Sequence, residues 1–170
     1  LVYDLGGGTF DVAIISSQDW VLTIKWHGWD NYLWGKDFDD AIIKNIIEPE
    51  LKSKYVFSDL DRWNSKYVPF YNRLKYLAEC SKKELTDSAT TQIVVEGIVD
   101  ESGKDVYLEI PFSRSQFEST IEKLVDTSIS ICKNALRESG FSHSDISRVI
   151  LVGWSTQSPY IRKRLEEDLK

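Results

Sequence analysis

The chain has 170 residues, of which 42% are hydrophobic and 28% charged, and its formal net charge is −6. That length allows one compact domain, or one domain carrying a smaller appended unit. The acidic balance opposes the phosphate neutralisation that nucleic-acid binding depends on, and no apolar run approaches the roughly 20 residues that span a bilayer, so a soluble chain with neither nucleic acid nor membrane as partner is expected.

Residues 1–3 form a short apolar run before Gly6, Gly7 and Gly8, after which Phe10, Val12 and Ile14 alternate with Asp11, Ala13 and Ile15. The pattern predicts strand, tight turn, strand. Across residues 21–26, Val21, Thr23 and Lys25 share one face and Leu22, Ile24 and Trp26 the other, which predicts a third strand and an antiparallel meander over residues 1–26. From Asp37 the period changes: Phe38, Ala41, Ile42, Asn45 and Ile46 recur at helical spacing, and Pro49 marks the expected end of that helix. Residues 53–66 are polar and aromatic without a clear period. Pro69 then introduces a second long helix whose apolar stripe is Phe70, Leu74, Leu77, Ala78, Ser81 and Leu85.

Residues 91–99 and 106–111 are β-rich and are joined by Asp100-Glu101-Ser102-Gly103, a hairpin signal. Ser113 and Gln116 form a candidate capping box at the start of the clearest helix. Its face is Phe117, Ile121, Leu124, Val125, Ser128, Cys132 and Ala135, and Gly140 stands at its stop. Val149, Ile150, Leu151 and Val152 then read as a continuously apolar strand of the kind buried on both faces, followed by a turn over residues 153–159 and a last charged helix. No internal repeat or low-complexity segment is present.

The cysteines, Cys80 and Cys132, stand far apart, and with only His27 and His143 beside them they show no metal-ligand spacing; a reducing, cytoplasmic compartment is the expectation. The sequence opens on Leu1 inside a strand pattern and contains no methionine, so Leu1 is not expected to be a natural start.

The segment Asp4-Leu5-Gly6-Gly7-Gly8-Thr9-Phe10-Asp11 carries the strongest chemical signal. Three consecutive residues without Cβ let backbone N–H groups turn inward and form a concave site for phosphate oxygens. Asp4 and Asp11 flank the bend and offer the carboxylate oxygens that a hydrated Mg²⁺ prefers, and Thr9 adds a hydroxyl near a terminal phosphate. The competing reading is an ordinary glycine-rich hairpin turn; the flanking acids tip the balance toward a site. The spacing matches neither the G-x-x-x-x-G-K-[ST] loop nor the G-x-G-x-x-G fingerprint.

This segment resembles the second phosphate-binding hairpin of the seventy-kilodalton heat-shock chaperones, the DnaK-like family. The stretch Val149-Ile150-Leu151-Val152-Gly153-Trp154-Ser155-Thr156-Gln157-Ser158-Pro159 resembles their adenosine-binding turn, and Tyr32-Leu33-Trp34-Gly35-Lys36-Asp37-Phe38-Asp39 is similar to the loop that opens their upper subdomain. The three motifs occur in order over essentially the whole chain. The resemblance implies an α/β fold, the second lobe of an actin-like (ribonuclease H-like) ATPase. Residues 1–35 and 114–170 would form a mixed twisted sheet with helices, and residues 36–113 an inserted α+β subdomain of helices and a hairpin.

The same resemblance implies ATP or ADP with Mg²⁺ as ligands. Gly6, Gly7 and Gly8 would form the phosphate bend, with Gly7, Gly8 and Thr9 facing the β- and γ-phosphates. Asp4 would orient Mg²⁺ through water, with Asp11 as the second candidate metal ligand and Asp4 and Thr9 as the candidate catalytic pair. Gly35 would approach the phosphates from the other side, and Gly153, Trp154 and Ser155 would form the adenosine turn. Glu79, Lys82, Lys83 and Thr86 fall where the family clamps adenine and ribose, and their spacing places them on one helical face; a solvated polar face is the plainer reading of these four. In the parent protein, nucleotide turnover would control a peptide-binding domain, with a J-domain co-chaperone and a nucleotide exchange factor as partners. The family's first lobe has no counterpart in these residues, so the chain alone is expected to bind weakly and turn over negligibly.

Six tryptophans are present, and the family typically has glycine at the positions of Trp20, Trp29, Trp34 and Trp154. Trp154 bears most on function, because a side chain of ~200 Å² would stand where backbone normally lies against the nucleoside. Gln157 also replaces an arginine. Two readings follow: tryptophans introduced onto a chaperone background, or a non-catalytic actin-like interaction module whose pocket they block. A sugar kinase or cell-shape filament of the same superfold fits less well, since residues 33–39 and 79–83 match the chaperones.

Overall fold

A computed structural model describes residues 1–6, 9–30, 35–60 and 63–169. Its elements run β1 (Val2–Leu5), β2 (Phe10–Gln18), β3 (Val21–Asp30), α1 (Gly35–Ile42), α2 (Glu48–Lys54), α3 (Val68–Asp87), β4 (Thr90–Val99), β5 (Asp105–Ser113), α4 (Arg114–Ser139), β6 (Ile150–Val152) and α5 (Pro159–Asp168). The chain divides into two compact units, Leu1–Asp37 with Glu122–Lys170, and Phe38–Ile121.

The first unit is built on a four-stranded sheet of order β3-β2-β1-β6. β2 runs antiparallel to both β1 and β3, whereas β6 runs parallel to β1, so the sheet is mixed. Alternation along β1 and β2 buries Tyr3, Leu5, Phe10, Val12 and Ile14 on one face. The α4 stripe of Val125, Ile129, Cys132 and Ala135 is buried too, as are Ile161 and Leu165 of α5. The Tyr3 hydroxyl and Ser128 Oγ lie 2.7 Å apart, which ties sheet to helix and satisfies two buried polar groups. Arg164 of α5 donates to Asp126 of α4 at 2.6 Å. Burial pushes the Cys132 thiol up to about 12, so this cysteine is an inert packing group.

The β2–β3 turn is closed by Asp19 at φ 50° and Trp20 at φ 65°, the two left-handed residues of a type I′ hairpin. The third strand runs on to Asp30, past the expected residue 26: pairing continues across a register shift between Ile14 and Ile15 as far as Phe10 opposite Asp30.

In the second unit, α3 packs along the β4–β5 hairpin. Val106, Leu108, Ile110 and Phe112 alternate inward along β5, with Ile93 and Val95 inward on β4 and Leu74, Ala78 and Leu85 buried on α3. The hairpin loop is organised by Asp100, whose carboxylate accepts from the backbone N–H groups of Val56, Ser102 and Lys104 at 2.9 Å each. Those donors, led by Val56, hold its carboxyl down at about 2. Ser113 and Gln116 make the expected capping box: the Ser113 N–H donates to Gln116 Oε1 at 2.9 Å, and the Gln116 N–H donates to Ser113 Oγ at 3.2 Å.

Two expectations are corrected. Pro49 does not end a helix; after α1 the backbone continues through a π-helical stretch, Ile43–Ile47, into α2, where Pro49 occupies the first turn. Proline is accommodated within this continuous helical run because the wider π-helical turn before it displaces the carbonyls that its ring and missing N–H would otherwise face. The strand at residues 150–152 is not buried on both faces. β6 is the last strand of the sheet among the described residues, and Ile150 and Val152 are 54% and 41% exposed. An apolar run alone cannot distinguish a central strand from an edge strand.

Candidate functional site

In the first unit, the β1–β2 turn, the start of α1 and the turn after β6 converge. Register places Asp4 directly opposite Asp11, with Leu5 opposite Phe10. Since Tyr3, Leu5, Phe10 and Val12 point into the core, Asp4 and Asp11 share the outer face of the sheet. Like charges opposite one another destabilise a strand pair by roughly 0.2–1 kcal/mol. Burial first, and the Asp11 carboxylate second, raise the Asp4 carboxyl above its ordinary range. Thr9 Oγ1 donates to Asp11 Oδ2 at 2.6 Å, which holds that carboxylate in place.

Gly6 stands differently from the expectation. Its N–H donates to the Thr9 carbonyl at 3.3 Å and closes the turn, while its carbonyl accepts from the Gly35 N–H at 3.1 Å. The Gly6 amide is therefore committed to the protein, and its part is to join two loops. Gly7, Gly8 and Trp34 lie outside the described residues.

Close approach explains two glycines. A Cβ on Gly35 would meet Ser155 Oγ at 2.7 Å and the Gly6 carbonyl at 3.2 Å. A Cβ on Gly153, at φ 89°, would collide with the carbonyl of Leu5. Gly6, Gly35, Gly153 and Ser155 are thus brought together beside the paired carboxylates by main chain lying against main chain. Trp154 opens a short 3₁₀ segment directly after Gly153, with its side chain 61% exposed.

In the second unit, Glu79, Lys82, Lys83 and Thr86 share a face of α3 and are held within the protein. Lys82 Nζ lies 2.6 Å from Asp39 Oδ1, with both side chains about nine-tenths buried. Lys83 Nζ lies 2.7 Å from Glu79 Oε1, and Thr86 donates to the Lys82 carbonyl at 3.4 Å. The hydrogen bond from Lys83 lowers the Glu79 carboxyl, whereas burial raises that of Asp39 against the opposing pull of Lys82. Asp39 is the residue that sequence reasoning missed as a group in its own right. Its helical spacing gave no signal of burial, and its Lys82 partner lies 43 residues away.

The donor set suits a hard cation held through water. Among the described residues no group of three or more histidine, cysteine or acidic side chains could enclose a metal. Two carboxylates opposite one another, with no arginine, lysine or histidine ion-paired to either among the described residues, match a Mg²⁺ that keeps most of its waters and shares phosphate oxygens.

The model of the Hsp70 protein family matches residues 1–170. The chain belongs to the Hsp70 family. Hsp70 relatives include the mitochondrial-type heat shock protein 70 of Encephalitozoon cuniculi (strain GB-M1), 39% identical over 166 residues, and that of Encephalitozoon hellem, 37% identical over 166 residues. Each alignment covers 98% of this chain and 27% of the relative, so the chain spans about a quarter of the length of these Hsp70 proteins. Among the described residues no helix is long and apolar enough to cross a membrane.

Proposed function

We propose that the chain is the second, nucleotide-binding lobe of a heat-shock chaperone ATPase, with an actin-like fold in which residues 1–35 and 114–170 are the base and residues 36–113 an inserted upper subdomain. ATP or ADP would lie with its phosphates against Gly7, Gly8 and Thr9, Gly35 approaching from the other side and Gly6 joining the two loops. Asp4 and Asp11 would hold the water shell of Mg²⁺, and Asp4 with Thr9 would position the terminal phosphate. Gly153, Trp154 and Ser155 would face the nucleoside, with Glu79, Lys82, Lys83 and Thr86 as the clamp on adenine and ribose. In the parent protein, lobe rotation driven by this nucleotide would regulate a peptide-binding domain, with a J-domain co-chaperone and an exchange factor as partners, in the cytoplasm.

The observation that carries this reading is the Asp4–Asp11 pair, with no ion-paired cation among the described residues, beside the Leu5–Gly6 main chain against which Gly35 and Gly153 are packed. Mg²⁺ would supply charge neutralisation between those carboxylates and the phosphates. Calorimetric titration of the chain with Mg-ADP tests it. We expect weak but measurable binding that D11N reduces roughly tenfold, equivalent to about 1.4 kcal/mol, and that W154G strengthens. Equal affinity in the parent chain and D11N would defeat the metal assignment, and no effect of W154G would remove Trp154 from the nucleoside face.

A further inference from the structure

Aromatic residues in this protein obey two opposite rules. Six of the seven phenylalanines, Phe10, Phe38, Phe57, Phe70, Phe112 and Phe117, are buried. None of the five described tryptophans is: Trp20, Trp29, Trp63 and Trp154 are exposed, and Trp26 is only partly covered. Tryptophan is ordinarily among the more buried side chains on average, so its positions here follow a different pattern from the rest of the sequence.

The local backbone says which pattern. Trp20 holds φ 65° in a type I′ turn with its side chain fully exposed, so it takes the strain of a left-handed residue with no packing in return. The second central position of that turn, after aspartate, is a glycine position on conformational grounds. Trp29 directly follows Gly28, stands opposite Asp11 in the β2–β3 register and is 57% exposed. Trp154 directly follows Gly153, beside the close approach to Leu5. A docking platform of aromatic residues would gather them on one surface. Instead Trp20 and Trp29 lie at opposite ends of β3, and Trp154 follows β6 at the other edge of the sheet.

We infer that the cell that makes this protein inserts glycine at positions 20, 29 and 154, from UGA triplets. Translation systems differ in whether UGA is read as stop, tryptophan or glycine, and reading such a gene with the tryptophan assignment yields tryptophan wherever the ribosome placed glycine. The proposal accounts together for the left-handed residue at 20 and for the exposed tryptophans that directly follow glycine at 29 and 154. Without a ring at 29 the position opposite Asp11 carries no side chain, and without one at 154 two consecutive residues lacking Cβ follow β6. The inference does not depend on the nucleotide assignment.

Peptide mass spectrometry of the full-length protein isolated from the cells that encode it, read beside the gene's triplets, tests it. The expected result is peptides with the mass of glycine at 20, 29 and 154, each coded by UGA. Tryptophan-mass peptides, or UGG triplets at these positions, overturn it. A second measurement uses the tryptophan-containing chain made in a standard host. W20G should raise its Tm by about 2–4 °C, the shift expected for relief of left-handed strain in a domain of this length. An unchanged or lowered Tm removes the conformational basis of the inference.

Discussion

Asp4 and Asp11 at the β1–β2 turn and Glu79 on α3 were all candidate ligand contacts in sequence, and the fold treats the two groups in opposite ways. Asp4 and Asp11 face each other across two strands with no cationic partner among the described residues, and burial and mutual repulsion keep the Asp4 proton held more tightly than usual. Asp39 and Glu79 are instead matched with Lys82 and Lys83 at 2.6 and 2.7 Å. An anionic pair with no cationic partner among the described residues keeps its charge available to an external cation, the role proposed for Mg²⁺. A matched, buried pair holds a structure together and must open before its lysine can reach a ligand.

The largest expected effect comes from breaking the matched side. K82M leaves Asp39 buried without its cation and should lower the unfolding free energy by ~3–5 kcal/mol, while D39N together with K82M should recover much of that loss. Urea unfolding of the two variants beside the parent decides it; a negligible cost for K82M alone would show that the pair is not structural. S113A removes one half of the α4 capping box and should cost ~1 kcal/mol in the same assay, with Mg-ADP affinity unchanged because the cap serves only the helix end.

On the unmatched side the sign reverses. D4N removes repulsion and should raise the stability of the nucleotide-free chain by about 0.2–1 kcal/mol. A drop in Tm on D4N would mean that the carboxylate has a stabilising partner. The smallest effects separate the two units by pH. The Asp4 carboxyl is raised in the folded state, so protonation favours folding and its contribution improves as pH falls through that raised value toward the unfolded value near ~3.9. The Asp100 carboxyl is lowered to about 2, so its contribution is present above ~3.9 and is lost as pH falls from there toward 2. Stability profiles of D4N and D100N should therefore deviate from the parent in opposite directions below neutrality, and parallel profiles would refute both assignments.

Local rules carried well where short-range chemistry dominates. The meander, the long helix opened by Ser113 and Gln116, and the left-handed demand at Trp20 all follow from alternation, capping and turn geometry within a few residues. They failed where the deciding partner is distant. Pro49 looks like a stop until the π-helical stretch before it is seen, and the apolar run at 150–152 looks central until the strand order leaves it last in the sheet among the described residues.

The candidate site divides the same way. Sequence by itself determined that three glycines stand between two aspartates and that the chain resembles one chaperone family, because residue type and spacing within short motifs encode both. Only the tertiary structure decided that Gly6 gives its amide to the turn, that Gly35 and Gly153 are required by main chain lying against them, and that Lys82 is already occupied by Asp39. Those facts depend on which segments meet in space, and no interval along the chain records the meeting.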